Sequence, residues 1–190
     1  MMTPAIERAG YLVLAQARWP VNHGDSLPPL PGFILSSFSP LVAELAERCL
    51  RQYFRSKGAD AGRARRIGIV VASTTGDIAT AAAIARAVEA GRRVPPLLFF
   101  QSNPNAVAGY IAARWHLGGP LVCTIPASHG LTDALNSACL LIEDGDADAA
   151  LVILADTRLP EDAAGTALLV GPPSRAAAIT GEVPDECQGH

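Results

Sequence analysis

Residues 119–148 read GPLVCTIPASHGLTDALNSACLLIEDGDAD. Residues 121–125 form a short apolar run with β-branched members, the pattern of a buried strand. The next residues, Ile125-Pro126-Ala127-Ser128-His129-Gly130, are small and turn-forming. Leu131, Leu135, Cys139 and Ile142 then recur at helical spacing, which predicts a helix over 131–142. Gly145 closes that helix, and residues 149–155 are a second apolar run. Strand, tight turn, helix, strand is the repeating unit of an α/β sheet. A nucleophile in such a turn would project into a crevice at a helix N-terminus, where free N–H groups and the helix dipole favour negative charge. Ser128 is the candidate. A serine at this joint also reads as an ordinary helix cap, and the joint alone does not choose between the two.

The pattern extends in both directions. Residues 67–71 (IGIVV) predict a buried strand, and the Ala-rich stretch 77–89 a helix ended by Gly91. Residues 95–100 read as an apolar loop or a short extended piece. Asn103-Pro104 is a cap followed by a first-turn proline and predicts a helix to Trp115, broken by Gly118-Gly119-Pro120. Upstream, residues 5–16 suit a first strand and 20–31 a Pro-rich connector. Ser39 suits an N-cap, with Pro40 in the first turn and Leu41, Leu45, Cys49 and Tyr53 on one face of a helix over 40–55. Residues 58–66 read as a loop, and 165–170 with 176–183 as a terminal strand pair. The expectation is one α/β domain over residues 1–183, a mixed and mostly parallel sheet covered by helices, followed by a polar tail at 184–190.

Composition narrows the function. Of 190 residues, 49% are hydrophobic, 17% charged and 5% aromatic, with a net charge of −3. Such a chain buries roughly 70% of its extended surface, so it is not disordered. No apolar run approaches the roughly 20 residues of a membrane span. The balance is not that of a nucleic-acid binder. Arg63, Arg65 and Arg66 cluster, as do Arg92 and Arg93; they read as solvated element edges or as a dock for an acidic partner. Cys49, Cys123, Cys139 and Cys187 lack metal-ligand or disulfide-framework spacing, so no metal and no cofactor are expected. The N-terminus has no export-signal pattern, which favours the cytosol. Thr74-Thr75-Gly76 before Asp77 lacks the lysine and glycine spacing of a phosphate loop, so Asp77 reads as a helix cap.

The run Pro96-Leu97-Leu98-Phe99-Phe100-Gln101-Ser102-Asn103-Pro104-Asn105-Ala106-Val107-Ala108-Gly109 resembles the segment before the active site in β-ketoacyl synthases. Gly119-Pro120, the strand and turn, and Gly145-Asp146-Ala147-Asp148 follow in that family's order. The resemblance spans residues 67–172 and implies the N-terminal half of a thiolase-like fold. It places Ser128 where the family carries its acyl-accepting cysteine, with Cys123 five residues earlier as core packing. The family's decarboxylating histidines come from a C-terminal half that does not fall within these residues. His129, adjacent to Ser128, is the nearest candidate base, with no Asp or Glu evident to orient it. His116 suits a helix C-terminus, His23 lies in the Pro-rich connector and His190 is terminal.

The resemblance implies a non-catalytic subunit of chain-length-factor type, similar to the short ketosynthase-like proteins of aryl polyene and polyene-pigment clusters. Such a subunit pairs with an intact β-ketoacyl synthase, sheet edge to sheet edge, and helps shape the cavity for a chain tethered to acyl carrier protein. Self-association would cover the same surface. By the same resemblance Phe99, Phe100, Gln101, Asn103 and Asn105 belong to the interface or acyl tunnel, although the two rings suit a core equally well. The alternative is an acyltransferase or initiating condensation subunit with Ser128 as acyl acceptor, which would need a base because a hydroxyl is far less acidic than a thiol.

Overall fold

The computed structural model describes residues 10–57, 66–127, 130–157 and 162–172. In chain order these form β1 (Leu12–Trp19), α1 (Phe38–Lys57), β2 (Ile67–Ala72), α2 (Ile78–Glu89), α3 (Pro96–Gln101), α4 (Pro104–Trp115), β3 (Leu121–Thr124), α5 (Leu131–Glu143), β4 (Ala149–Asp156) and β5 (Ala164–Gly171). The strands make a single sheet in the order β1-β5-β4-β2-β3. Strands β4, β2 and β3 pair in parallel, while β5 runs antiparallel to both β4 and β1. Four strands therefore share one direction and only β5 opposes them, a mixed and mostly parallel sheet.

Alternation along the central strands builds two cores. On one face Ile69, Val71, Leu151, Ile153 and Leu169 meet Leu41, Leu45 and Cys49 of α1 and Val107 and Ile111 of α4. On the other, Val70, Ala72, Ala150 and Val152 meet Ala134, Leu135 and Ala138 of α5. All six residues of β2 are buried, so it reads as a continuous apolar run. Glu47 ties the first layer together: Arg114 and Trp115 Nε1 of α4 both donate to it, at 3.0 and 3.1 Å. The Arg114 hydrogen bond, followed by that of Arg51, overcomes burial and holds its carboxyl below the usual range.

Several boundaries differ from expectation for tertiary reasons. The first strand was expected at 5–16; residues 5–9 lie outside the described set, and β1 continues to Trp19 because its pairing with β5 runs to Gly165. The first-helix cap is Ser36, whose Oγ accepts from the Ser39 amide at 2.8 Å, so the helix begins at Phe38 and Ser39 lies inside it. Residues 96–101 form the short helix α3 rather than a loop, with Pro96 at its first position. Strand β5 pairs with β1 and β4; its expected partner, residues 176–183, lies outside the described set, as does the tail at 184–190. Strand β3 is not the buried strand anticipated. It forms the sheet's edge, Leu121 is exposed, and Ile125 lies past its end and is 78% exposed.

The Gly118-Gly119-Pro120 break has a geometric cause. Gly119 N donates to Ile67 O and Pro120 O accepts from Ile69 N, so this loop lies directly on the backbone of β2. A methyl on Gly119 would overlap the Gly68 amide and the Ile67 carbonyl. Gly145 and Asp148 clamp the neighbouring strand start: Arg66 donates to Gly145 O at 2.7 Å and to Asp148 Oδ1 at 3.0 Å. At the C-cap of α4, His116 adopts left-handed geometry with φ 52°. Gly119→Ala is expected to lower unfolding free energy by roughly 2–4 kcal/mol, because backbone must move to admit it. His116→Gly should raise it by about 1 kcal/mol by relieving the left-handed strain. Denaturant titration of the full chain reads both.

Candidate functional site

Chemistry gathers where the parallel strands end. Loop 73–77 leaves β2 here, residues 125–127 leave β3, and Asp156 closes β4. Asp156 Oδ1 draws in the whole loop after β2. It accepts from Ser73 Oγ (2.8 Å), Thr74 N (2.8 Å), Thr74 Oγ1 (2.9 Å) and, more distantly, Thr75 N and Oγ1 (both 3.3 Å). Burial pushes the Asp156 carboxyl up, but the hydrogen bonds from Ser73 and Thr74 and from the two amides outweigh it and hold it below the ordinary value. Ser73 Oγ also accepts from Gly76 N, closing the turn that delivers Asp77 to α2. Asp77 is the N-cap of α2: its Oδ1 accepts from Thr80 N at 3.2 Å. Its other carboxylate oxygen is buried and has no partner among the described residues.

The second feature flanks the turn singled out in the sequence. Ser128 and His129 lie outside the described residues. On either side, Ala127 N donates to Asp133 Oδ2 at 2.9 Å, and Gly130 (φ 33°) starts α5 without a side-chain cap. Asp133 is thus a carboxylate turned back onto this joint, which the sequence reading did not identify. Its signal was an acidic residue in the first turn of a helix begun by glycine, where a carboxylate reaches back to uncapped amides. Asp156 was missed for a different reason: the 82 residues separating it from Thr74 carry no local pattern.

The remaining candidates separate clearly. Phe99 and Phe100 are 71% and 66% exposed, so they fill no core of this chain, and Leu97 beside them is exposed too. Gln101 is buried, with its amide end toward Gly32. Asn103 caps α4 by accepting from Asn105 N at 3.0 Å, and the Asn105 side chain is left on the surface. Burial raises the thiols of Cys49 and Cys123 to about 12 and about 11, which keeps both protonated as packing residues. Two clefts open nearby. One, of about 540 Å³, is lined by Arg18, Trp19, Asp156 and Asp162. The other, of about 1020 Å³, lies between loop 25–37 and Ala79 of α2. Among the described residues no helix is long and apolar enough to cross a membrane.

A mixed sheet of this order, with a strand–turn–helix joint at the end of its parallel strands, is the N-terminal half of a thiolase-like fold. The chain belongs to the β-ketoacyl synthase family: the profile of that family's N-terminal domain matches residues 27–177. Solved structures agree on the fold. A complex of a ketosynthase with its chain length factor from Xenorhabdus doucetiae superposes with a TM-score of 0.62 at 18% identity, covering 81% of this chain and 68% of that one. The ishigamide ketosynthase/chain length factor gives 0.60 at 22% identity, covering 87% and 50%. A type II polyketide ketosynthase complexed with its acyl-carrier protein gives 0.55 at 13% identity, covering 90% and 60%. The chain thus spans half to about two-thirds of these relatives' lengths. No curated protein matches the sequence.

The knot at Asp156 has a defined pH signature. Its folded value is lowered, so its contribution is complete above the unfolded value of 3.8 and fades as pH falls through the folded value. Asp156→Asn should therefore destabilise the chain at pH 7, and the gap from the parent should shrink at pH 3. Denaturant midpoints at both pH values provide the check.

Proposed function

We propose that this chain is a non-catalytic ketosynthase-like subunit of chain-length-factor type. It pairs in the cytosol with an intact β-ketoacyl synthase and shapes the cavity that holds a growing, carrier-protein-tethered polyene or fatty-acid-type chain. The observation that carries this reading is an apolar arm with no core of its own. Helix α2 is rich in Ala, Ile and Val, yet Thr80 is its only buried residue. Val88, Leu97, Phe99 and Phe100 stand more than 60% exposed along α2 and α3. Apolar surface concentrated in this way marks a contact with another chain.

The two sheet edges support the same reading by their asymmetry. Edge β1 is protected: its register shifts between Val13 and Ala15, and its Gln16 amide donates to Gln52 of α1 at 3.2 Å. Both devices discourage a new strand from adding there. Edge β3 pairs regularly with β2 over four residues, presents exposed Leu121, and carries no such block among the described residues. An open edge on one side only is what edge-to-edge association with one partner requires.

Co-expression with the intact ketosynthase encoded nearest to this chain is expected to yield a stable complex, and failure to co-purify would remove the reading. Phe99→Glu with Phe100→Glu should weaken that complex at least tenfold, since a charge would be buried where a ring packed. Ser128→Ala should leave product formation by the complex unchanged. Loss of product with the complex intact would instead support Ser128 as an acyl acceptor.

A further inference from the structure

Of the two arginine clusters in the sequence, one is tied into the fold. Arg66 donates to Gly145 O and to Asp148 Oδ1, while Arg63 and Arg65 lie outside the described residues. The other cluster has no such ties. Arg92 and Arg93 are exposed on the turn between α2 and α3, and Arg86 is exposed in the last turn of α2. None of these three guanidiniums forms an ion pair among the described residues. One cation near a helix C-terminus answers the dipole, and three exceed that need. From Ile78 to Gln101 the only acid is Glu89, so the arm is positive on a chain whose net charge is −3.

The same arm carries the exposed Val88, Leu97, Phe99 and Phe100, and its backbone is well defined. Gly91 (φ 64°) closes α2, with Arg92 N donating to Ala87 O at 2.8 Å. Pro95 (φ −60°, ψ 131°) and Pro96 then fix the direction of α3, and Gln101 is buried at its end. Anchors on a stiff backbone bind with less ordering cost. Apolar rings flanked by unpaired cations fit a face with an apolar centre and carboxylates around it. We propose that the arm docks on such an acid-ringed apolar face of the intact ketosynthase, and that Arg86, Arg92 and Arg93 steer and orient that docking. This rests on the pairing proposed above and adds the chemistry of the partner's face. Two copies of this chain joined arm to arm would set the arginines of one against those of the other, so the charges select against self-pairing.

Association rate constants of the full chain with the purified ketosynthase, read by surface plasmon resonance, test the docking. Arg92→Glu with Arg93→Glu is expected to slow association roughly tenfold or more at about 0.1 M NaCl. The gap should close to about threefold or less at about 1 M, where the Debye length falls from about 10 Å to about 3 Å. Arg92→Lys with Arg93→Lys keeps the charge and should keep the rate. Arg92→Glu alone should slow association about threefold, whereas Arg55→Glu, exposed on α1 outside the arm, should leave it unchanged. A rate indifferent to the double Glu variant overturns the proposal, as does equal slowing by Arg55→Glu or by the lysine pair. Sedimentation of the chain alone, and its binding to vesicles of phosphatidylcholine with phosphatidylglycerol, are measured in parallel. A dimer, or vesicle binding, that is abolished by Phe99→Glu with Phe100→Glu would give the arm to a second copy or to a lipid surface, and either overturns the proposal. A parent chain that forms no complex removes the pairing and the proposal together, whereas a complex indifferent to these charges removes the proposal alone.

Discussion

The close approach of backbones around β2 is the constraint on which the rest of this structure depends. The strand is buried along its whole length, Gly119 lies against the peptide between Ile67 and Gly68, and a methyl added at Gly68 would already touch Leu141 and Ala147. Main chain this close leaves room only for small side chains at the points of contact, as at Ala134, Ala138 and Ala150. The helix facing β2 and β4 contributes Ala134 and Ala138 where a bulkier pair would push it off the sheet. On the face of α5 the main chains lie close, while the face of α1 is filled by larger side chains such as Phe38, Leu41, Leu45 and Tyr53.

That economy leaves large apolar residues to be placed elsewhere, and they fall in two different environments. Phe38, Tyr53 and Trp19 fill the wider layer beneath α1, where Arg48 lies over the Trp19 ring at 4.6 Å. Phe99 and Phe100 lie on α3, outside any layer of this chain. The difference is one of position in the topology. The excursion between β2 and β3 makes three helices, of which only α4 returns to the sheet; α2 packs against α3 rather than on a strand. Val88, Leu97, Phe99 and Phe100 on that arm are left exposed, a concentration of apolar surface that the layers of the sheet do not cover.

Much of this was legible in the sequence because it rests on local periodicity. The six buried residues of β2, the Asn103-Pro104 start of α4 and the Gly145 close of α5 each carry their signal within a few residues. What was not legible depends on distant partners. Whether residues 121–124 were buried or an edge turned on the strand order, which placed β4 and not another strand on the far side of β2. The end of β1 was set by β5, some 150 residues away, and the first-helix cap moved from Ser39 to Ser36 because Phe38 is completely buried and belongs to the helix. Short apolar runs are also ambiguous between strand, loop and helix, which is why α3 was missed.

The same distinction explains why the candidate site was only half visible. Ser128 stands out because its neighbours in sequence form a turn, whereas Asp156 and the threonines it binds meet only when β2 and β4 lie side by side. Their meeting alters how the site reads. A turn with a hydroxyl at a helix start suggests a place for an anion. A turn whose flanking amide is held by Asp133, beside a loop whose amides are held by Asp156, is one where the chain supplies its own anions. At this end of the sheet Asp156 and Asp133 satisfy loop amides from within the chain, whereas Leu121 on the β3 edge and Phe99 and Phe100 on α3 are left exposed.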